Sequence, residues 1–164
     1  MGIDYTLIGE GMKQIVPWIR ASNLEFERID ETGAVVFLPD TEDTRNHVGG
    51  PHAAMIFGVA ETAAGAVVMA NFAELLGRAT ALVVSAEIRY RRVARGDLRA
   101  TAVLTRPADE VRAELADGRR PEFPVRVTVT SADDTTVAEV TVVWTLNPDR
   151  RSGAAASGPA KRPH

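Results

Sequence analysis

The fold of this chain is decided by residues 46–76, which read NHVGGPHAAMIFGVAETAAGAVVMANFAELL. The opening residues close a polar loop, 39–51, that holds Pro39, Asn46, Gly49, Gly50 and Pro51. From about residue 52 to 76 the spacing predicts one long helix, ended by Gly77. Its apolar residues Met55, Ile56, Val59, Val67, Val68, Met69 and Phe72 fall on most of the circumference. A helix that is apolar nearly all round is buried nearly all round. Its many alanines and glycines let other backbones approach closely. A membrane span is the competing meaning of such a stretch. Glu61 argues against it, because a carboxylate near a bilayer centre costs about 2.5–3.5 kcal/mol. A buried helix of a soluble protein is therefore expected.

The flanks supply what that helix packs against. Residues 5–20 read as a short helical leader: Leu7, Ile8, Met12, Ile15 and Ile19 recur at helical spacing, interrupted by Gly9, Gly11 and Pro17. Residues 24–38 read as a hairpin, with Asp30-Glu31-Thr32-Gly33 as its turn. After the long helix come four strand-like runs, 81–93, 97–106, 122–131 and 136–146, rich in valine, threonine and alanine. Arg95-Gly96-Asp97 is expected to turn the first pair, and Ser131 to Thr135 the last. Residues 107–121 read as a charged connection, a strand extension with a hairpin at Asp117-Gly118. The stretch 148–164 reads as a disordered tail, leaving one domain over 1–147. The class is thus α+β: an antiparallel sheet wrapped around one central helix. Such a sheet leaves edges that a second copy can pair with.

Composition bounds the function. At 164 residues, 45% hydrophobic and 25% charged, the chain suits one soluble domain. The absence of cysteine excludes a disulfide framework, a thiolate nucleophile, an iron–sulfur cluster and a cysteine zinc site. It also fits a reducing compartment. A net charge of −3 with 5% aromatics speaks against a nucleic-acid partner. Met-Gly-Ile-Asp-Tyr at the start carries no basic-then-apolar signal. A cytoplasmic protein with no membrane partner is expected.

The chemistry concentrates in 46–61. Gly9-Glu10-Gly11 lacks the rest of a dinucleotide loop, and no phosphate loop or nucleophile elbow is present. His47 and His52 lie five apart, off the spacing that puts two metal ligands on one helix face, so no metal is expected. What remains is an amide and an imidazole at the helix entry and a carboxylate two and a half turns in. Helix N-terminal amides form a ready oxyanion site, and Ala53 and Ala54 leave room for a carbonyl to reach them. Glu61 lies among Phe57, Val59, Ala60, Ala63 and Ala64, where desolvation raises a carboxyl toward a useful base range. Equally, Asn46 serves as a loop residue, His52 as a helix-entry residue, and Glu61 as a half-exposed or arginine-paired acid.

The pattern Asn46-x5-His52-Ala53-Ala54-x6-Glu61 resembles the hotdog-fold acyl-CoA thioesterases of the phenylacetate type. These show Asn, His-Gly-Gly six residues later, and Asp or Glu nine residues after the histidine. Val84 to Tyr90 is similar to the strand after the central helix in that family, and the layout matches from about residue 20 to 146. Here Ala53 and Ala54 replace the two glycines, which keeps the backbone N–H groups but adds methyls. Glu61 replaces the more usual Asp.

The resemblance implies hydrolysis of an acyl-CoA thioester with no cofactor. The N–H of Ala53 or Ala54 would polarise the carbonyl, and Glu61 would act as general base or as nucleophile. Asn46 would position water or substrate, His52 would orient the thioester or assist the leaving thiolate, and Ser85 would help hold water near the carboxylate. It implies a homodimer or dimer of dimers, with Glu61 and the Asn46/His52 loop meeting across the interface. Phe57 is expected in the acyl pocket. Among Arg89, Arg91, Arg92 and Arg95, Arg91 or Arg92 is expected on CoA phosphate; alternation puts Arg89 and Arg91 on one face and Arg92 opposite. The alternatives are a non-catalytic acyl- or CoA-binding protein and, ranked last, an enoyl-CoA hydratase or dehydratase.

Overall fold

A computed structural model describes residues 4–149. The leader forms two helices, α1 (Tyr5–Ile15) and α2 (Pro17–Ala21). Val16, in extended conformation, separates them, and Pro17 takes the first position of α2, where its missing N–H costs nothing. The hairpin follows as β1 (Glu25–Asp30) and β2 (Gly33–Leu38). Asp30 accepts from the Thr32 and Gly33 N–H groups at 2.8 and 3.1 Å and so fixes the turn. The predicted long helix is α3 (Ala53–Phe72), continued by a single tighter turn over Ala73–Leu75.

The four strand-like runs appear as β3 (Ala79–Tyr90), β4 (Leu98–Leu104), β5 (Glu122–Ser131) and β6 (Thr136–Pro148). All pairings are antiparallel, in the order β1-β2-β4-β5-β6-β3. One face of the sheet buries alternate residues: Ala34, Val36 and Leu38 on β2, Ala100 and Ala102 on β4, Val125, Val127 and Val129 on β5. α3 lies on that face, chiefly against β2, β4 and β5. Buried alanines on both α3 and β4 let the helix lie close to the sheet. Ala53–Leu75 is long and apolar enough to cross a bilayer, but its strands and helices cover it, so it is a core helix. A sheet wrapped around one long helix is the hotdog fold.

Two expectations are corrected. Residues 107–121 hold no hairpin: Ala108–Ala116 form a helix, α4. Ala108, Val111 and Leu115 stand at helical spacing, Asp109 and Glu110 favour the first turn, and Gly118 at φ +74° ends it in the left-handed region. Nor does Arg95-Gly96-Asp97 join a hairpin. Gly96 does turn the chain, at φ +68°. However, β3 pairs with β6 alone, and β5 and β6 lie between β3 and β4. The segment after Tyr90 therefore crosses the end of the sheet. β5 and β6 do form the expected hairpin through Ser131–Thr135. Of the predicted tail 148–164, Pro148 closes β6 opposite Ala79, Asp149 bonds back to Arg78, and the rest lies outside the described residues.

Candidate functional site

The loop before α3 is built around Asn46. Its side-chain oxygen accepts from the N–H groups of Val48 and Gly50 at 3.0 and 3.2 Å, and its amide donates to the Pro51 carbonyl at 3.3 Å. These bonds hold the loop, as a turn residue would. Gly50 is required here, because a Cβ would lie 2.2 Å from the Ala94 carbonyl oxygen. The loop is thus pressed against the crossover that follows β3.

His52 is the N-cap of α3. Its Nδ1 accepts from the Ala54 N–H at 3.0 Å, so the neutral ring carries its proton on Nε2. Of the two expected oxyanion donors, the Ala54 N–H is therefore engaged. The Ala53 N–H has no partner among the described residues. The Tyr90 hydroxyl donates to the Ala53 carbonyl at 3.1 Å. Asn46, Ala53, Ile56, Tyr90 and Arg92 face a common open cavity of about 450 Å³.

Glu61 lies elsewhere. It is half-buried in a separate cavity of about 220 Å³, beside Met12, Ile15, Trp18, Val68 and Trp144. Its carboxylate has no ion pair or hydrogen bond among the described residues, and burial alone pushes its carboxyl above its ordinary value. Trp144 Nε1 is likewise buried without a hydrogen-bond partner. Glu61 is eight positions beyond Ala53, about 12 Å along the axis. Ala53 and Ile56 line one cavity; Glu61, Thr62 and Gly65 line the other. Within one chain the two halves of the predicted constellation do not meet.

The remaining predicted residues divide similarly. Phe57 is half-buried against the core. Ser85 pairs with Val143, on the sheet face away from α3, beyond a bulge at Val84. Arg89 and Arg91 share that outer face, as alternation requires, and both are ion-paired, with Glu87 at 2.7 Å and Glu139 at 2.5 Å. Arg92 has no ion pair among the described residues, and both Arg91 and Arg92 border the cavity at the helix entry. The leader's part in the Glu61 cavity was not anticipated. Its one sequence signal is an apolar stripe, Met12 to Ile19, with no assigned surface to cover. Among the described residues, no three His, Cys, Asp or Glu side chains group as a metal site.

The family model described as a domain of unknown function, DUF4442, matches residues 5–146. No curated protein matches. Solved structures do. A protein of unknown function from Pseudomonas aeruginosa, described as a probable thioesterase, is 22% identical with a TM-score of 0.79, over 91% of this chain and 99% of that one. The E. coli PaaI protein from the phenylacetic acid degradation operon is 16% identical with a TM-score of 0.69, over 88% and 94%. A variant of a thioesterase enzyme from Staphylococcus aureus is 12% identical with a TM-score of 0.67, over 81% and 100%. At such identities the likeness is one of fold.

Proposed function

The chain belongs to the DUF4442 family, a domain of unknown function, and from that premise, joined to its hotdog fold, we propose that it is a cytoplasmic acyl-CoA thioesterase working as a homodimer. The observation that carries this reading is Glu61, a carboxylate with no partner among the described residues and a raised pKa, beside an apolar cavity. Such a group is poised as a general base. It takes a proton from water as the water oxygen attacks the thioester carbonyl carbon. The Ala53 N–H, at the positive end of α3, receives the developing oxyanion. The carbon–sulfur bond then breaks, the proton held by Glu61 passes to the departing sulfur, and the free acid and CoA thiol leave with the carboxylate restored; His52 Nε2–H is free to donate to that sulfur in the assembled site.

The dimer follows from β3. It ends the sheet, so its outer edge is unpaired, and Leu82, Val83 and Val84 are 44%, 41% and 41% exposed. A long apolar edge is a hazard unless covered. A second copy paired there about a two-fold axis extends the sheet. It brings the partner's loop and helix entry toward Glu61, completing a site whose halves are apart in one chain. Arg92, which has no acidic partner among the described residues, then suits a CoA phosphate better than Arg91, which Glu139 holds.

The test is hydrolysis of acyl-CoAs of graded chain length by wild type, Glu61→Ala and Asn46→Ala. Loss of Glu61 should lower kcat by about 10²–10⁴-fold. Asn46→Ala should lower it through a loosened loop. Turnover that survives Glu61→Ala would remove Glu61 from the mechanism. The His52 cap on the Ala54 N–H favours a second reading, a non-catalytic acyl-CoA binder. Tight CoA-ester binding with no turnover of any ester would establish it.

A further inference from the structure

The leader helices have no part in the chemistry proposed above, yet they wall the cavity that holds Glu61. α1 and α2 bury Met12 and Ile19 but leave Ile15, Val16 and Trp18 exposed by 71%, 37% and 37% at its mouth. Trp18 lies over Gly58: a Cβ there would meet Trp18 Cη2 and Cζ2 at 2.4 and 2.5 Å. The indole therefore rests on bare helix backbone. Gly58 is three residues before Glu61, so ring and carboxylate share one face of α3. The opposite wall holds Trp144, whose Cζ2–Cη2 edge faces Gly65 and whose N–H is unpartnered. Both tryptophans of the chain thus border this one cavity.

We infer that this cavity receives the acyl group, and that Trp18, seated on Gly58, sets the length of acyl chain it admits. The inference rests on the thioesterase reading and deepens it by naming the substrate class. The cavity measures about 220 Å³. At roughly 30 Å³ for each water-sized unit, it holds about seven such units. That is the size of an acyl group of roughly six to eight carbons, or of a short aryl-acyl group. Long acyl chains would have to displace the indole, which is 37% exposed. Leucine-sized side chains at position 18 would leave the end of the cavity open. Gly58 is needed because any side chain there would lift the ring away.

The test measures kcat/KM for straight-chain acyl-CoAs from butanoyl to hexadecanoyl, with wild type, Trp18→Ala, Trp18→Phe, Gly58→Ala and the double variant Trp18→Ala/Gly58→Ala. Wild type should drop about tenfold or more per methylene once the pocket is full. Trp18→Ala should move the preference to longer chains, with dodecanoyl-CoA gaining about tenfold relative to octanoyl-CoA. Trp18→Phe should shift it less. Gly58→Ala should shift it in the wild-type background and have no effect once Trp18 is removed, since the two act through one contact. An unchanged length profile in Trp18→Ala, with turnover intact, overturns the inference and leaves the thioesterase reading standing.

Tryptophan fluorescence with octanoate and dodecanoate as probes separates the other case. If no ester is turned over, yet octanoate shifts the emission and Trp18→Phe, which leaves Trp144 as the reporter, alters the chain-length dependence of binding, the pocket assignment holds and the catalytic reading fails. No emission change with any fatty acid, together with no turnover, overturns the pocket as well.

Discussion

The two halves of α3 share one helix and one composition, but they sit in different surroundings. From Thr62 to Phe72 every residue except Met69 is buried; from Ala53 to Glu61 only Ile56, Val59 and Ala60 are. The second half is enclosed by its own chain. Arg112 of α4 donates to the Asn71 carbonyl at 2.6 Å and lies over the Phe72 ring, and Asn71 reaches back to the Glu31 carbonyl in the β1–β2 turn at 3.2 Å. The first half instead opens on the cavity at the helix entry and ends at Glu61, where the second cavity begins and runs on past Thr62, Gly65, Val68 and Met69. A circumference apolar all round says that a helix will be covered, but not by which body. One half is buried almost throughout by its own chain, with the Glu61 cavity along one side of it, and the other is left more open to ligand and partner.

The largest effect should come from breaking the closed half. Phe72 and Phe57 lie on similar sides of α3, one in each half. Phe72 is fully buried, with its ring centroid 5.1 Å from that of Phe123. Phe72→Ala should cost about 3–5 kcal/mol, read as a large fall in the urea midpoint. Phe57→Ala should cost well under half of that, since Phe57 is only half-buried against the core and lines neither cavity. Equal losses at the two positions would mean that the open half is as fully packed as the closed one.

A smaller effect is expected at the β3 edge, where folding and assembly separate. Ala86 pairs with Val142 on the helix side of the sheet and is exposed in the single chain. Ala86→Arg should leave the monomer folded, because nothing among the described residues covers that position. It should convert the dimer to monomer in sedimentation and abolish thioester turnover with it. A variant that still sediments as a dimer would place the interface elsewhere and leave the open half of α3 without its proposed cover.

These contrasts bear on what could be read from the chain. Pro17 and the Asp30–Gly33 turn mark element ends by local geometry, and alternation along β4 and β5 is set by the one face that is buried. Such features were legible. Gly77 does not end α3, which stops at Phe72 and tightens over Ala73–Leu75, and Gly77 is not in the left-handed region. α4 was missed because its three core-facing residues, Ala108, Val111 and Leu115, stand among Asp, Glu and Arg that serve solvent and the ends of the helix. The placing of β3 beside β6 was illegible, since strand order is fixed by non-local packing and not by the Arg95-Gly96-Asp97 turn. The candidate site divides along the same line. The loop–helix motif is local and was visible. That His52 occupies the Ala54 N–H, that Ser85 faces away beyond a bulge, and that Trp18 roofs Gly58 all depend on geometry between distant or finely registered residues.

The smallest and sharpest contrast between the halves is in proton binding. Thr62–Phe72 contains no ionisable side chain, so any pH response of α3 belongs to its open half. Burial raises the Glu61 carboxyl in the folded state above the 4.5 of a free glutamate. Its contribution to stability is therefore full below the unfolded value and is lost as pH rises through the folded one. Asp30, Asp40 and Glu114 act in the opposite sense, because hydrogen bonds lower their pKa values, and they lose their contribution as pH falls. They are near the surface and weakly coupled to folding. Subtracting the stability curve of Glu61→Gln from that of wild type cancels them and isolates Glu61. Below the unfolded value the difference should be flat. Above it wild type should lose ground to Glu61→Gln until the folded value is passed. Activity should follow the reverse course, since the general base works only when ionised: kcat/KM should rise with pH across the window in which Glu61 destabilises the fold. A stability difference that stays flat to pH 8 would mean that Glu61 is solvated in the assembled protein. The open half would then lack the desolvated base on which the proposed chemistry depends.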